Sequence, residues 1–319
     1  MTVHNQQPET SKSKRISRVS YSVFAVLASI YTYLMVSAPI RSNNYHLSAT
    51  AIRVLDATII LPIFIVWFLA IFAGVRFKQY ALKLEGYDDA LPSNTLADGL
   101  LTLGFGSILT SIFSLVRSYY ALNSQAYQTL TVLSNYLSLA LIGTVFVVVY
   151  IGSKELLALL KSSPAVALVR QRLVASMVST GLAVVYTAAV FTDDYRTTTS
   201  NPLTHASFYL HDGALLFTMV LPTVIIWTIA GQAIINLYAY QKNVQGSTYR
   251  RIYKLLSIGL ATVLAFYVLI TMLTTLSGFL SGSSLAVVLA FLYIIIIAYG
   301  AGFVVIAQGA RKLRRLEEV

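Results

Sequence analysis

The sequence predicts an all-α integral membrane protein with eight transmembrane helices, built as two parallel four-helix repeats related by a pseudo-two-fold axis along the membrane normal. Three observations predict this. Of 319 residues, 57% are hydrophobic and only 11% charged, where a soluble domain carries about 25% charge. Landmark residues of one apolar run recur 160 residues later. The basic residues, finally, gather in alternate gaps between the apolar runs, which orients the chain.

The apolar runs are eight: 19–38, 50–75, 97–117, 130–151, 168–191, 211–238, 253–279 and 284–308. Each is long enough to cross a bilayer as a helix. Lipid leaves backbone groups no partner but one another, so only helices or closed barrels span it. Continuous apolar runs without period-two alternation select helices.

With a cytoplasmic amino terminus, eight crossings place 19 of the 23 Lys and Arg on the cytoplasmic side. Only Arg41, Arg53, Arg117 and Arg196 fall outside. The positive-inside rule therefore sets both termini in the cytoplasm, in a plasma (inner) membrane. The net charge of +11 follows from this pattern; it favours anionic lipid on the cytoplasmic side and does not point to nucleic acid. The chain contains no cysteine, which excludes disulfides, thiolate metal sites and lipidated thiols.

Residues 1–17 are polar and basic and read as a disordered cytoplasmic tail. Lys12 to Arg18 before the first run, and Val36-Ser37-Ala38 after it, resemble a cleavable signal. Pro39 sits badly for cleavage and the run is long for a signal core. It also has a counterpart in the second half, so it reads as a retained helix. Residues 18–157 form the first repeat, 158–167 a linker punctuated by Ser162, Ser163 and Pro164, and 168–313 the second repeat. Residues 314–319 are a cytoplasmic tail.

The helices match in order. At an offset of 155, Val19, Leu27 and Tyr31 meet Val174, Leu182 and Tyr186. At 160, Thr58, Leu61, Pro62, Ile65, Trp67, Ala70, Ala73, Tyr80 and Gly86 meet Thr218, Leu221, Pro222, Ile225, Trp227, Ala230, Ala233, Tyr240 and Gly246. The third pair returns to 155, with Leu100, Leu101 and Gly104 against Leu255, Leu256 and Gly259. The fourth runs at 157, where Tyr136, Gly143, Phe146 and Gly152 meet Tyr293, Gly300, Phe303 and Gly309. Offsets change only at loops, where insertions are tolerated. An even number of crossings per unit gives both copies one orientation, the parallel kind of repeat.

Two groups of candidate site residues follow. Pro62 and Pro222 each free the carbonyl four residues earlier, that of Thr58 or Thr218. Together with Trp67 and Trp227, these residues are expected to form a paired hinge or gate; the competing reading is an ordinary proline kink repaired by threonine. The ionisable residues Arg53, Asp56, Asp193, Asp194, His205, His211 and Asp212 are expected at an outer vestibule, against the plainer reading of solvated loop and helix-end charge. The hydroxyls of Ser107, Thr110, Ser111, Ser114, Thr271, Thr274 and Thr275 line a path or bond to their own turns.

Several chemistries lack their residues. No central lysine suits retinal, no facing histidines suit haem, and no helix-core histidine partners Ser277. Gly104-Phe105-Gly106 and Gly300-Ala301-Gly302 read as packing features rather than phosphate loops. No cofactor or metal is expected, and no enzyme, because acids, bases and nucleophiles do not converge. The leading expectation is a transporter or channel-like protein for a neutral or weakly charged solute. The alternative is a non-catalytic membrane scaffold, accessory subunit or sensor. Beyond the lipid bilayer, the sequence names neither the solute nor a membrane protein partner.

Overall fold

Long apolar segments become long helices, and they outrun the apolar stretches that predict them. The computed structural model describes residues 7–38, 49–84, 88, 90–116, 119–120, 125–160, 221–275 and 285–317. Among these lie seven helices and no strand: α1 (Gln7–Ser37), α2 (Ala49–Lys83), α3 (Ala90–Val116), α4 (Gln125–Ala158), α5 (Leu221–Asn243), α6 (Ser247–Thr275) and α7 (Leu285–Glu317). Six of the described helices are long and apolar enough to cross a membrane. The expected helix at 168–191, and the linker at 158–167 beyond Leu160, lie outside the described residues.

The amino-terminal tail departs from expectation. α1 begins at Gln7, so residues 7–17 are helical rather than disordered. Glu, Lys and Arg are good helix formers, and an apolar run just downstream propagates its helix into them at little cost. The side-chain amide of Gln79 on α2 also donates to the Ser13 carbonyl at 3.2 Å, holding this turn against the bundle. At the other end of α1, the Tyr119 hydroxyl donates to the Leu34 carbonyl at 2.8 Å.

Six helices close a ring. α2 packs on α3, α3 on α4, α4 on α5, α5 on α6, α6 on α7, and α7 returns onto α2, while α1 lies against α2 and α3. Consecutive pairs run antiparallel: Lys78 of α2 bridges Asp98 of α3 at 2.6 Å, ahead of the Gly74–Leu101 and Gly104–Ile71 contacts. The two ring contacts that join distant segments are parallel. Gly143 and Ser153 of α4 meet Ile226 and Asn236 of α5; Tyr293 and Gly300 of α7 meet Thr58 and Val66 of α2.

The inner faces of all six helices share one apolar core. Val66, Ala70, Ala73 and Phe77 of α2 join Leu100 of α3, Val149 of α4, Leu237 of α5, Leu256 and Leu260 of α6, and Phe303 of α7. Small residues let the backbones approach. Gly259 and Gly302 face each other so closely that a Cβ on Gly259 would lie 2.7 Å from the Gly302 carbonyl oxygen. Gly104 and Gly106 likewise sit against Ile71 and Leu141, the packing role expected of them.

The outward faces are apolar and uncovered. Val26, Leu61, Ile65, Leu109, Ile258, Ile294 and Ile297 are all exposed, the surface that lipid covers in a membrane protein.

Many residues that match at these offsets have the same burial, although Leu100 and Leu255, and Leu101 and Leu256, do not. Trp67 and Trp227, Ala70 and Ala230, Ala73 and Ala233, Tyr80 and Tyr240, Phe146 and Phe303, and Leu156 and Leu313 are buried at both positions. Leu61 and Leu221, Ile65 and Ile225, and Val147 and Val304 are exposed in both.

Candidate functional site

α2 passes through Pro62 as one helix. Proline has no N–H, so the Thr58 carbonyl loses its helical donor. The Thr58 hydroxyl turns instead to a neighbour, pairing with the Tyr293 hydroxyl of α7 at 2.5 Å. Thr58, Leu61 and Ile65 are exposed and Pro62 half-buried. These four lie on a different face of α2 from Val66, Ala70, Ala73 and Phe77, which enter the shared core.

Trp67 is a packing wedge rather than a lipid-facing residue. It stacks edge-on against Tyr31 of α1 at 5.1 Å and lies 5.6 Å from Phe64. In the second half, Pro222 is half-buried, Leu221 and Ile225 are exposed and Trp227 is 2% exposed. Thr218 lies outside the described residues.

Of the expected vestibule, Asp193, Asp194, His205, His211 and Asp212 also lie outside the described residues. Arg53 and Asp56 belong to α2, with side chains beyond the described part. Among the described residues no three His, Cys, Asp or Glu side chains gather as metal ligands. Two of the expected path hydroxyls on α3 bond within their own helix: Ser107 donates to the Leu103 carbonyl at 2.6 Å and Thr110 to that of Ser107 at 3.1 Å. The side chains of Thr271, Thr274 and Thr275 lie outside the described part.

A polar contact that the sequence reading passed over sits at the α4–α5 seam. The fully buried Asn236 donates its amide to the Ser153 hydroxyl at 3.2 Å. Ser153 in turn donates to the Tyr150 carbonyl at 2.8 Å. The signal was available, since an asparagine inside an apolar run is a common interhelical hydrogen-bonding group. At the matched positions of the α7–α2 seam stand Ala310 and Arg76. Arg76 bonds Gln79 at 3.1 Å and lies over the Phe72 ring at 5.3 Å. The two seams are therefore alike in backbone direction and unlike in polarity.

Among the described side chains, the helix carboxylates are engaged, Asp98 with Lys78 and Glu155 with the Thr95 hydroxyl at 3.2 Å. Among the described residues the buried polar side chains are hydroxyls and the amides of Gln79, Asn236 and Gln241, groups that can fix helices in register. No protein-family model, curated protein or solved structure matches this chain.

Proposed function

We propose that this multi-pass membrane protein is a non-catalytic scaffold, accessory subunit or sensor, made of two same-facing four-helix units about a pseudo-two-fold axis along the membrane normal. The apolar core common to six helices carries the reading. A solute path needs a cavity with placed polar groups, and the core shared by the described helices is made of Val, Leu, Ile, Ala, Phe and Tyr.

Three observations support the architecture. The contact of Gly143 with Ile226 becomes that of Gly300 with Val66 on applying the offsets of 157 and 160. Swapping α2, α3 and α4 for α5, α6 and α7 maps the ring of helix contacts onto itself. α4 and α5 run parallel, so the chain between them needs an odd number of crossings, which the apolar run 168–191 supplies. The basic-residue pattern supports cytoplasmic termini.

A transporter or channel-like protein for a neutral solute is the second reading. The Thr58–Tyr293 hydroxyl pair favours it, because it lies beyond Val66, where the shared apolar core ends on α2. The absence of cysteine makes the decisive experiment clean. Single cysteines at Ala70 and Ala233 in the core, and at exposed Lys83 as control, are treated with membrane-impermeant thiol reagents from each side. A scaffold labels only at the control. Labelling of either core cysteine means water reaches the seam, and the transport reading replaces this one.

A further inference from the structure

We infer that the corner between α5 and α6 is a binding site for a phospholipid whose headgroup carries two phosphate charges. Gly246, at φ +94°, occupies the left-handed region that a side chain disfavours. It turns the chain so sharply that the end of α5 and the start of α6 meet. The Arg250 amide donates to the Gly246 carbonyl at 3.1 Å and locks the turn.

The corner forms an open groove of about 720 Å³ lined by Lys242, Arg250, Arg251 and Lys254, with no acidic side chain on its walls. None of the four is ion-paired among the described residues. Gln241, only 6% exposed, also lines the groove and makes no hydrogen bond with a described residue. The amino terminus of α6 adds unpaired backbone N–H groups and the positive end of its dipole. Four like charges in one groove repel one another, and a multiply charged anion relieves that repulsion.

The surroundings select a lipid over a soluble anion. Arg251 and Lys254 lie on the exposed face of α6, and that face continues through exposed Ile258, half-buried Thr262 and exposed Leu269. A basic head followed by an apolar stripe on one helix has the shape of an amphiphile's partner. Tyr238 is exposed and carries the Lys242 ammonium 4.5 Å above its ring, as an interfacial aromatic does. The four charges have no counterparts in the first half, where uncharged Leu82, Thr95, Leu96 and Gly99 stand at the matched positions. The site is therefore built once, on one side of the bundle, and does not depend on whether the protein is a scaffold or a carrier.

Full-length protein in detergent is titrated with cardiolipin, phosphatidylglycerol, phosphatidylcholine or inorganic pyrophosphate, with bound lipid counted by native mass spectrometry and melting followed in parallel. Wild type is expected to hold one cardiolipin, bound more tightly than phosphatidylglycerol. The Arg251→Gln/Lys254→Gln variant is expected to weaken this about 30-fold, with its lipid-free melting unchanged. Lys14→Gln/Arg15→Gln alters a second basic cleft, on α1, and is expected to leave cardiolipin binding intact. Should the first variant melt early, Lys242→Gln/Arg250→Gln replaces it. Equal loss in the α1 variant, equal binding of phosphatidylglycerol, or pyrophosphate displacing cardiolipin at matched concentration would each overturn the assignment.

Discussion

The side-chain amide of Asn236 and the hydroxyl of Ser153 meet at 3.2 Å with both residues wholly buried. This contact ties α4 to α5, helices far apart in sequence, and no equivalent polar pair occupies the matched positions Arg76 and Ala310. In a bilayer an isolated Asn236 amide has no water to turn to. A double-mutant cycle of Asn236→Ala and Ser153→Ala should therefore return a favourable coupling of about 0.6 kcal/mol, with a ceiling near 1.7. Unfolding in mixed micelles measures it; additive losses would mean that the contact contributes no stability.

Glycine substitutions should separate close packing from open space. Gly259→Ala drives a Cβ to 2.7 Å from the Gly302 carbonyl oxygen and 2.4 Å from an Ile306 side-chain carbon. The helices must part, at a cost of about 1–3 kcal/mol. Gly231 has nothing within 4 Å of the added carbon, and alanine there should be neutral or stabilise by up to about 1 kcal/mol through helix propensity. Melting temperatures of the two variants should move in opposite directions, or only the first should move.

Both tryptophans are buried, Trp67 at 6% and Trp227 at 2% exposure. Their fluorescence is expected to be blue-shifted and almost insensitive to iodide. Trp67→Ala should cost about 3–5 kcal/mol, because it empties the space against Tyr31 and Phe64. Strong iodide quenching in the folded protein would contradict the burial.

The repeat makes a prediction outside the described residues. Thr58 pairs with Tyr293, and the offsets of 160 and 157 turn these into Thr218 and Tyr136. In this cysteine-free chain, cysteines at 58 and 293 should cross-link with a short bifunctional reagent, and so should cysteines at 218 and 136. A first pair that links beside a second that does not would remove the two-fold relation.

Hydropathy located the helices but not their ends. α2 runs to Lys83 and α4 to Ala158, several residues beyond apolar runs ending at 75 and 151. Backbone hydrogen bonding continues into the interface, where charged side chains reach water, so composition changes before the helix stops. α1 likewise begins at Gln7 inside a polar stretch, because polarity argues against a core, not against a helix.

The site was less legible than the scaffold. Thr58, Leu61, Pro62 and Ile65 share one face of α2. Whether that face looks inward or outward depends on which helix lies beside it, and amphipathicity is uninformative when both lipid and core are apolar. The same ambiguity hid the partner of Asn236. The basic corner was visible only as charge near a helix end; its closure into a groove required the turn at Gly246.

The sequence by itself determined class, helix number per described segment and the matched positions, because bilayer thickness and backbone hydrogen bonding leave few choices to a chain so apolar. Only the tertiary structure decided that α7 closes onto α2, that the six helices share one apolar core, and that Lys242, Arg250, Arg251 and Lys254 converge. These depend on side-chain shape and on contacts between residues as far apart as Thr58 and Tyr293, which no local pattern encodes.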